Sequence, residues 1–336
     1  MTFIGIDVHR SSSTVKWFCP ADGNGGSRRI ETTSAAYDKL LSALPRPWVI
    51  AFEATREAPA LTKLLRRLEA DELHLVHPRA MRALGELQKA KTDDKDAALI
   101  LSLLQAEMLP EAYLAPPEIE DQREVSRGYQ RLRQSGTRLQ NFLRGLLNKA
   151  GLTCPATRLL SRAWREQVPE LIGQLAPCAA IMATMYLQQL LTIDEHCTAL
   201  QGLMKAQVLA HPAGPALLEL DGLGVITTFG LIAEIGQIGR FAGTKRLHSY
   251  AGLVPKVRQS DSFYSTGHLS QDCNKPLRYL AVCGAQGASR CKAESRAKEA
   301  YERVKRQNPK RANVAKIAAA RKLLTDVYCV LQAAVA

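Results

Sequence analysis

No stretch of this 336-residue sequence approaches the roughly 18 uninterrupted apolar residues of a membrane span. Its opening, Met1-Thr2-Phe3-Ile4-Gly5-Ile6-Asp7, lacks the charged-then-apolar layout of a signal peptide and reads as a strand. No membrane partner is expected, and the cytoplasm is the expected compartment. Cysteine pairs are missing too. The eight cysteines, at 19, 154, 178, 197, 273, 283, 291 and 329, form no Cys-x-x-Cys and sit beside no histidines at zinc-ligand spacing, which leaves them as reduced thiols. Acidic residues are the third shortage: 32 Asp and Glu against 45 Lys and Arg give a net charge of +13. The excess is concentrated, with twelve basic and three acidic residues between Arg290 and Lys322. Such a cluster repels itself unless it neutralises a phosphate-rich partner or is spread over a solvated helical tail, and charge alone does not choose between these.

What is present is enough to fold. The 46% hydrophobic content supports ordinary buried cores, in two or three domains at this length. Phe3 to Val8, Ser13 to Phe18 and Arg28 to Thr32 read as a three-strand meander, with Asp22-Gly23-Asn24-Gly25-Gly26 as a turn. A helix from Ala35 to Leu44, a strand from Trp48 to Glu53, a helix from Ala58 to Ala70, a strand from Leu73 to Val76 and a helix beyond Pro78 follow. Three strands, then helix, strand, helix, strand, helix is the order of an RNase H-like domain. The opening Phe-Ile-Gly-Ile-Asp-Val also resembles the actin-like sugar kinases and ATPases. Those folds need a glycine-bearing phosphate turn directly after the aspartate, and here the turn is His9-Arg10-Ser11-Ser12-Ser13.

Long helices begin after Pro116-Pro117. Between Arg123 and Lys149 the apolar Val125, Leu132, Leu139 and Leu146 recur every seven residues, which suits a coiled-coil seam with a neighbouring helix or another subunit, or an amphipathic helix in a plain bundle. Arg123, Arg127, Arg131 and Arg138 fall on a separate, cationic arc. Farther on, Asp221-Gly222-Leu223-Gly224 between two helical runs resembles a helix-hairpin-helix, whose turn lets backbone N–H groups approach a DNA phosphate; a helix cap with a packing glycine is the alternative. The expected fold class is thus α/β plus α: a mixed sheet with helices at residues 1–112, a helical coiled-coil connector at 113–207, and a mainly helical domain at 208–336.

Four acids can converge in this fold. Asp7 ends the first strand, and Glu53 ends the strand expected beside it. Asp93 and Asp96, three apart at the start of a helix, share one face. Left unpaired these carboxylates repel one another, and divalent cations relieve the repulsion; hard oxygen donors suit Mg²⁺ or Mn²⁺. Two such ions about 4 Å apart can activate an attacking oxygen and stabilise a leaving one at a phosphodiester. Individually each acid has a plainer use, Asp7 in a turn, Asp93 or Asp94 as a helix N-cap and Glu53 on the surface.

The chain resembles the DEDD-type insertion-sequence transposases, the group that includes Piv-like invertases and bridge-RNA-guided recombinases. The matching pieces are Gly5-Ile6-Asp7-Val8-His9, Glu53-Ala54-Thr55, and Lys91-Thr92-Asp93 with Asp96-Ala97. Toward the other end come Leu220-Asp221-Gly222-Leu223-Gly224, Tyr250-Ala251-Gly252-Leu253-Val254-Pro255, Arg258-Gln259-Ser260, Gly267-His268-Leu269-Ser270 and Leu277-Arg278. The resemblance implies a RuvC-like domain with Asp7, Glu53, Asp93 and Asp96 as metal ligands, and a C-terminal transposase domain with Ser260 as nucleophile. It also implies donor and target DNA, a structured guide RNA and a dimer or tetramer as partners, in association with a bacterial nucleoid. Lys256, Arg258, Lys275 and Arg278 are candidates to neutralise the reacting phosphate, and Arg123, Arg127, Arg131 and the basic run from Arg290 to hold nucleic-acid backbone. The family pattern has glycine where this chain carries Arg56, Asp261 and Cys273, and Ser262 stands as second candidate nucleophile. Two rival functions share these features: a metal-dependent junction nuclease in which water attacks, and a non-catalytic nucleic-acid-binding derivative.

Overall fold

The computed structural model describes residues 1–85, 92–153, 161–260 and 263–335. The chain forms two compact units, Met1–Ala115 and Pro116–Ala336.

The first unit is built on a six-stranded mixed sheet. β1 (Thr2–Val8), β2 (Ser12–Cys19) and β3 (Asn24–Glu31) make an antiparallel meander, and β4 (Trp48–Glu53) and β5 (Glu72–Val76) extend β1 on its other side as parallel strands. The expected mixed sheet is present, and a two-residue antiparallel edge, β6 (Glu111–Ala112), adds to it. One expectation is corrected: Gly25 and Gly26 are strand residues of β3, not turn. A Cβ on Gly26 would collide with the Trp17 ring, so the glycine is where that indole lies across the sheet.

Alternation along the two central strands assigns their faces. Ile4, Ile6, Val8, Trp48, Ile50 and Phe52 pack with Tyr37, Leu40 and Leu41 of α1 (Ser34–Leu41) and Leu61 and Leu65 of α2 (Ala58–Arg67). Phe3, Val49 and Ala51 face the opposite way, onto Met81 of α3 (Pro78–Gly85) and Ile100 and Leu104 of α4 (Asp93–Gln105). Gly5 lies on this second face, and a Cβ there would come within 2.7 Å of Ala97 O and Leu101 N. The missing side chain brings α4 directly onto β1.

In the second unit α5 (Pro117–Lys149) and α7 (Pro177–Ala210) form an antiparallel pair, with α6 (Arg162–Gly173) beside one end. The heptad positions divide between two cores: Leu139 and Leu146 pack around Leu143, Leu147, Trp164 and Leu190, whereas Val125 and Leu132 pack around Tyr129, Cys197, Met204 and Phe229. The partner helix of the predicted seam is therefore α7. Beyond it, α8 (Gly214–Leu218), α9 (Val225–Ile235), a 3-10 turn at Ile238–Arg240, α10 (Thr244–Tyr250), α11 (Lys275–Ala288), α12 (Arg296–Gln307) and α13 (Ala312–Ala333) enclose a third core. A two-stranded hairpin of β7 (Pro255–Ser260) and β8 (Phe263–Leu269) leaves this helical body between α10 and α11. No helix among the described residues is long and apolar enough to cross a membrane.

The two glycines of the Gly-x-Gly turn have different surroundings. Gly222 has a φ of +83°, and a Cβ on it would clash with Gly284 O and Ala288 N of α11. It is packed closely against α11. Gly224 is exposed at the start of α9 with open space around it. Gly222→Ala is expected to destabilise the second unit by about 2–4 kcal/mol, from the left-handed backbone and the overpacking together. Urea denaturation checks this, with a lower midpoint at unchanged slope.

Candidate active site

The strand order puts the acids in place. β1 is where the sheet changes from antiparallel to parallel, and Asp7 and Glu53 sit at the carboxyl ends of neighbouring parallel strands, one step past the Ile6–Phe52 register pair. By parity both belong to the face covered by α4. That helix starts with its cap on Thr92, whose hydroxyl accepts from Lys95 N; neither Asp93 nor Asp94 is the cap. Asp93 and Asp96 occupy the first turn. Asp94 anchors the same turn to the meander, accepting from Lys16 Nζ at 2.7 Å and Ser27 Oγ at 2.8 Å, and these bonds hold its carboxyl below the usual range.

Asp7 is 5% exposed. Burial pushes its carboxyl above the ordinary carboxylate range; the His9 ring opposes the rise and the charges of Asp96 and Asp93 add to it. His9, on the strand's exit two residues on, places Nε2 3.2 Å from Asp7 Oδ2 and 3.5 Å from Asp93 Oδ1. Donor atoms of Asp7, His9 and Asp93 all lie within 4.8 Å of one another. Asp96 stands one turn farther along α4 and Glu53, half-buried, ends β4. Crowded carboxylates with an imidazole nitrogen beside them, on a rigid sheet end and a fixed helix turn, fit a divalent cation. His9 is the residue missed by sequence reasoning, and the Asp7-Val8-His9 alternation, which puts 7 and 9 on one strand face, is the signal that could have found it.

Two family models match the chain. One, described as a transposase of the DEDD IS110 type, covers residues 4–151, and the other, described as the transposase IS116/IS110/IS902 family, covers residues 214–302. Together they span more than two thirds of the sequence. The chain belongs to the IS110/IS116 family of transposases.

Similar proteins of this kind include one named family 20 transposase in Pseudomonas aeruginosa, 26% identical over 85% of this chain and 84% of its own. The 43.6 kDa protein of insertion element IS110 in Streptomyces coelicolor is 26% identical over 82% of this chain and 81% of its own. The transposase for insertion sequence element IS1111A of Coxiella burnetii is 28% identical over a shorter stretch, 48% of this chain and 44% of its own.

The remaining candidate residues of this transposase are scattered over the second unit. Ser260 closes β7, paired in register with Phe263, and Lys256 and Arg258 lie on the same strand; their backbone alone is described, and Lys91, Asp261 and Ser262 lie outside the described residues. Lys275 is exposed at the first position of α11. The expected cationic arc of α5 divides: Arg131 and Arg138 are exposed, whereas Arg123 and Arg127 are engaged by the protein itself. Arg127 makes a two-pronged ion pair with Glu234, at 2.7 and 2.8 Å, and Arg123 donates to Ala233 O and Glu234 O. The fully buried carboxylate draws Arg123 largely out of solvent and holds Arg127 half-buried. Arg131 stays exposed, paired with Glu124 at 2.8 Å. Of the basic C-terminal run, Lys292, Arg303, Arg306, Lys310, Arg321 and Lys322 are exposed, while Arg296 and Lys298 are tied to Asp326 and Glu294.

Proposed function

We propose that the protein cuts and rejoins DNA strands with a RuvC-like acidic site at the end of β1 and a serine nucleophile at the tip of the β7–β8 hairpin. The convergence of Asp7, His9 and Asp93, with Asp96 beside them, carries this reading. Asp7, Glu53, Asp93 and Asp96 would hold Mg²⁺ or Mn²⁺, with His9 as an additional donor. Such an ion, when bound, supplies Lewis acidity and neutralises charge at a phosphodiester.

The protein's own groups do the rest. Asp7, buried and pressed by neighbouring carboxylates, keeps a negative well ready for a cation. The Asp94 anchor holds the first turn of α4, so Asp93 and Asp96 need no reorganisation on binding. Ser260 Oγ attacks phosphorus; the new Oγ–P bond replaces the P–O bond to the departing strand end, which takes up a proton. The phosphoserine link conserves the bond for rejoining to another strand, so no nucleoside triphosphate is consumed. Lys256, Arg258 and Lys275 neutralise the phosphate, and Arg131, Gly224 and the exposed basic residues of α12 and α13 hold nucleic-acid backbone. Base pairing with an element-encoded guide RNA chooses the target, and the active form is a dimer or tetramer.

A second reading, metal-dependent cleavage by water, is favoured by the same acidic cluster. A plasmid bearing the coding sequence with its native flanking DNA, assayed in cells for new strand junctions, separates the two. Ser260→Ala is expected to lower junction formation by at least about 100-fold. Cleavage that persists in Ser260→Ala but is lost in Asp7→Ala would establish the water mechanism.

A further inference from the structure

We infer that Arg278 is a positioning residue that locks the hairpin carrying Ser260, rather than a ligand of the DNA phosphate. The inference rests on the serine reading for its catalytic consequence, but the lock itself is read from the structure. A two-stranded hairpin with no further sheet neighbour is marginal by itself. At its root this one is irregular: the register shifts between Pro255 and Val257, and beside the Pro255–Leu269 pair lies a long Ser270 N to Val254 O bond of 3.4 Å.

Arg278, half-buried on α11, spans that root. Its Nε donates to Ala251 O at 3.2 Å, on the chain entering the hairpin. One terminal nitrogen donates to Ser270 O, on the chain leaving it, and to Cys273 Sγ. A planar guanidinium can hold two carbonyls in fixed directions at once; a lysine ammonium is a single flexible point of charge. Gly252 supplies the room. Its φ is +63°, and a Cβ there would occupy the space of the Arg278 terminal nitrogen and the Cys273 side chain.

The lock is itself mounted. Asn274, one turn before Arg278, caps α11 by accepting from Leu277 N at 2.9 Å. Its Nδ2 donates to Glu234 Oε2 at 2.8 Å and to Tyr250 OH at 3.1 Å. Glu234 in turn grips Arg127 of α5. The hairpin root is thus continuous, through Arg278, α11, Asn274 and Glu234, with the long helix that opens the second unit. Buried groups satisfied in this way fix one geometry, which is what a nucleophile held on a thin hairpin needs.

Arg278→Lys keeps the charge and removes the fork. In the full-length protein, hydrogen–deuterium exchange of amides 256–260 and 263–269 is expected to rise, while exchange in α13 stays as in wild type and shows that the body is folded. Junction formation in cells is expected to fall by about 100-fold. Affinity for a random-sequence DNA duplex and its salt slope are expected to be unchanged, for Arg278→Lys and for Arg278→Ala alike. The inference is overturned if the lysine variant leaves hairpin exchange at the wild-type level, or if Arg278→Ala reduces the salt slope by about one, the mark of a lost phosphate contact. A loosened hairpin in Arg278→Lys together with full activity in Ser260→Ala would sink the serine reading and leave the lock standing. A protected hairpin with an inactive Ser260→Ala would do the reverse.

Discussion

Asp7→Asn is expected to abolish strand cleavage, lowering the rate by about 1,000-fold or more, while residues 1–115 stay folded. Asparagine keeps the shape at the end of β1, so the strand pairing with β2 and β4 is untouched. What changes is charge at a position 5% exposed and close to Asp93 and His9. In metal-free buffer the variant is expected to melt at or above the wild-type temperature, because a carboxylate crowded by other carboxylates is a cost to the fold. Adding Mn²⁺ or Mg²⁺ is expected to raise the melting temperature of wild type and not of the variant, since an ion bound by the folded state alone stabilises it. Cleavage within tenfold of wild type would remove Asp7 from the site.

Glu234→Ala is expected to destabilise the second unit by about 3–5 kcal/mol. Glu234 has no exposure, and it lies at the end of a helix whose other residues from Thr228 to Ile235 are buried as well. Three partners converge on it: Arg127 by both carboxylate oxygens, Arg123 at 3.9 Å, and Asn274. Truncation leaves a guanidinium and an amide without their acceptor in a low-dielectric setting, which costs more than the pair itself contributes. Arg127 is 37% exposed and can turn partly to water, so the loss falls toward the lower end of that range. The double variant Arg127→Ala/Glu234→Ala recovers part of it, and a double-mutant cycle by urea denaturation measures the coupling. A loss under about 1 kcal/mol would show that the pair is not structural.

These two sites differ in how far they could be read from the sequence. The acidic site follows from local rules: strand alternation assigns Asp7 and Glu53 to one face, the β-α order places their strands side by side, and three-residue spacing joins Asp93 to Asp96. His9 obeys the same alternation and needed only to be counted as a donor. The glycines of β3 were hidden because Gly25-Gly26 are read as turn formers unless the Trp17 ring across the sheet is known. Glu234 shows what sequence spacing cannot reach. A lone acid in the apolar run Gly230-Leu231-Ile232-Ala233-Glu234-Ile235 signals a buried partner, but that partner lies 107 residues away. For that reason Arg123 and Arg127 look like a cationic surface from their own helix, and Arg278 looks like a phosphate ligand from its neighbours.

The most direct test is to quench a metal-dependent cleavage reaction in denaturant and map, by mass spectrometry, any nucleotide left on the peptide containing residue 260. A phosphodiester adduct on Ser260 in wild type, absent without divalent metal and absent in Asp7→Asn, is the predicted result. Cleaved DNA with no adduct on Ser260 would contradict the account.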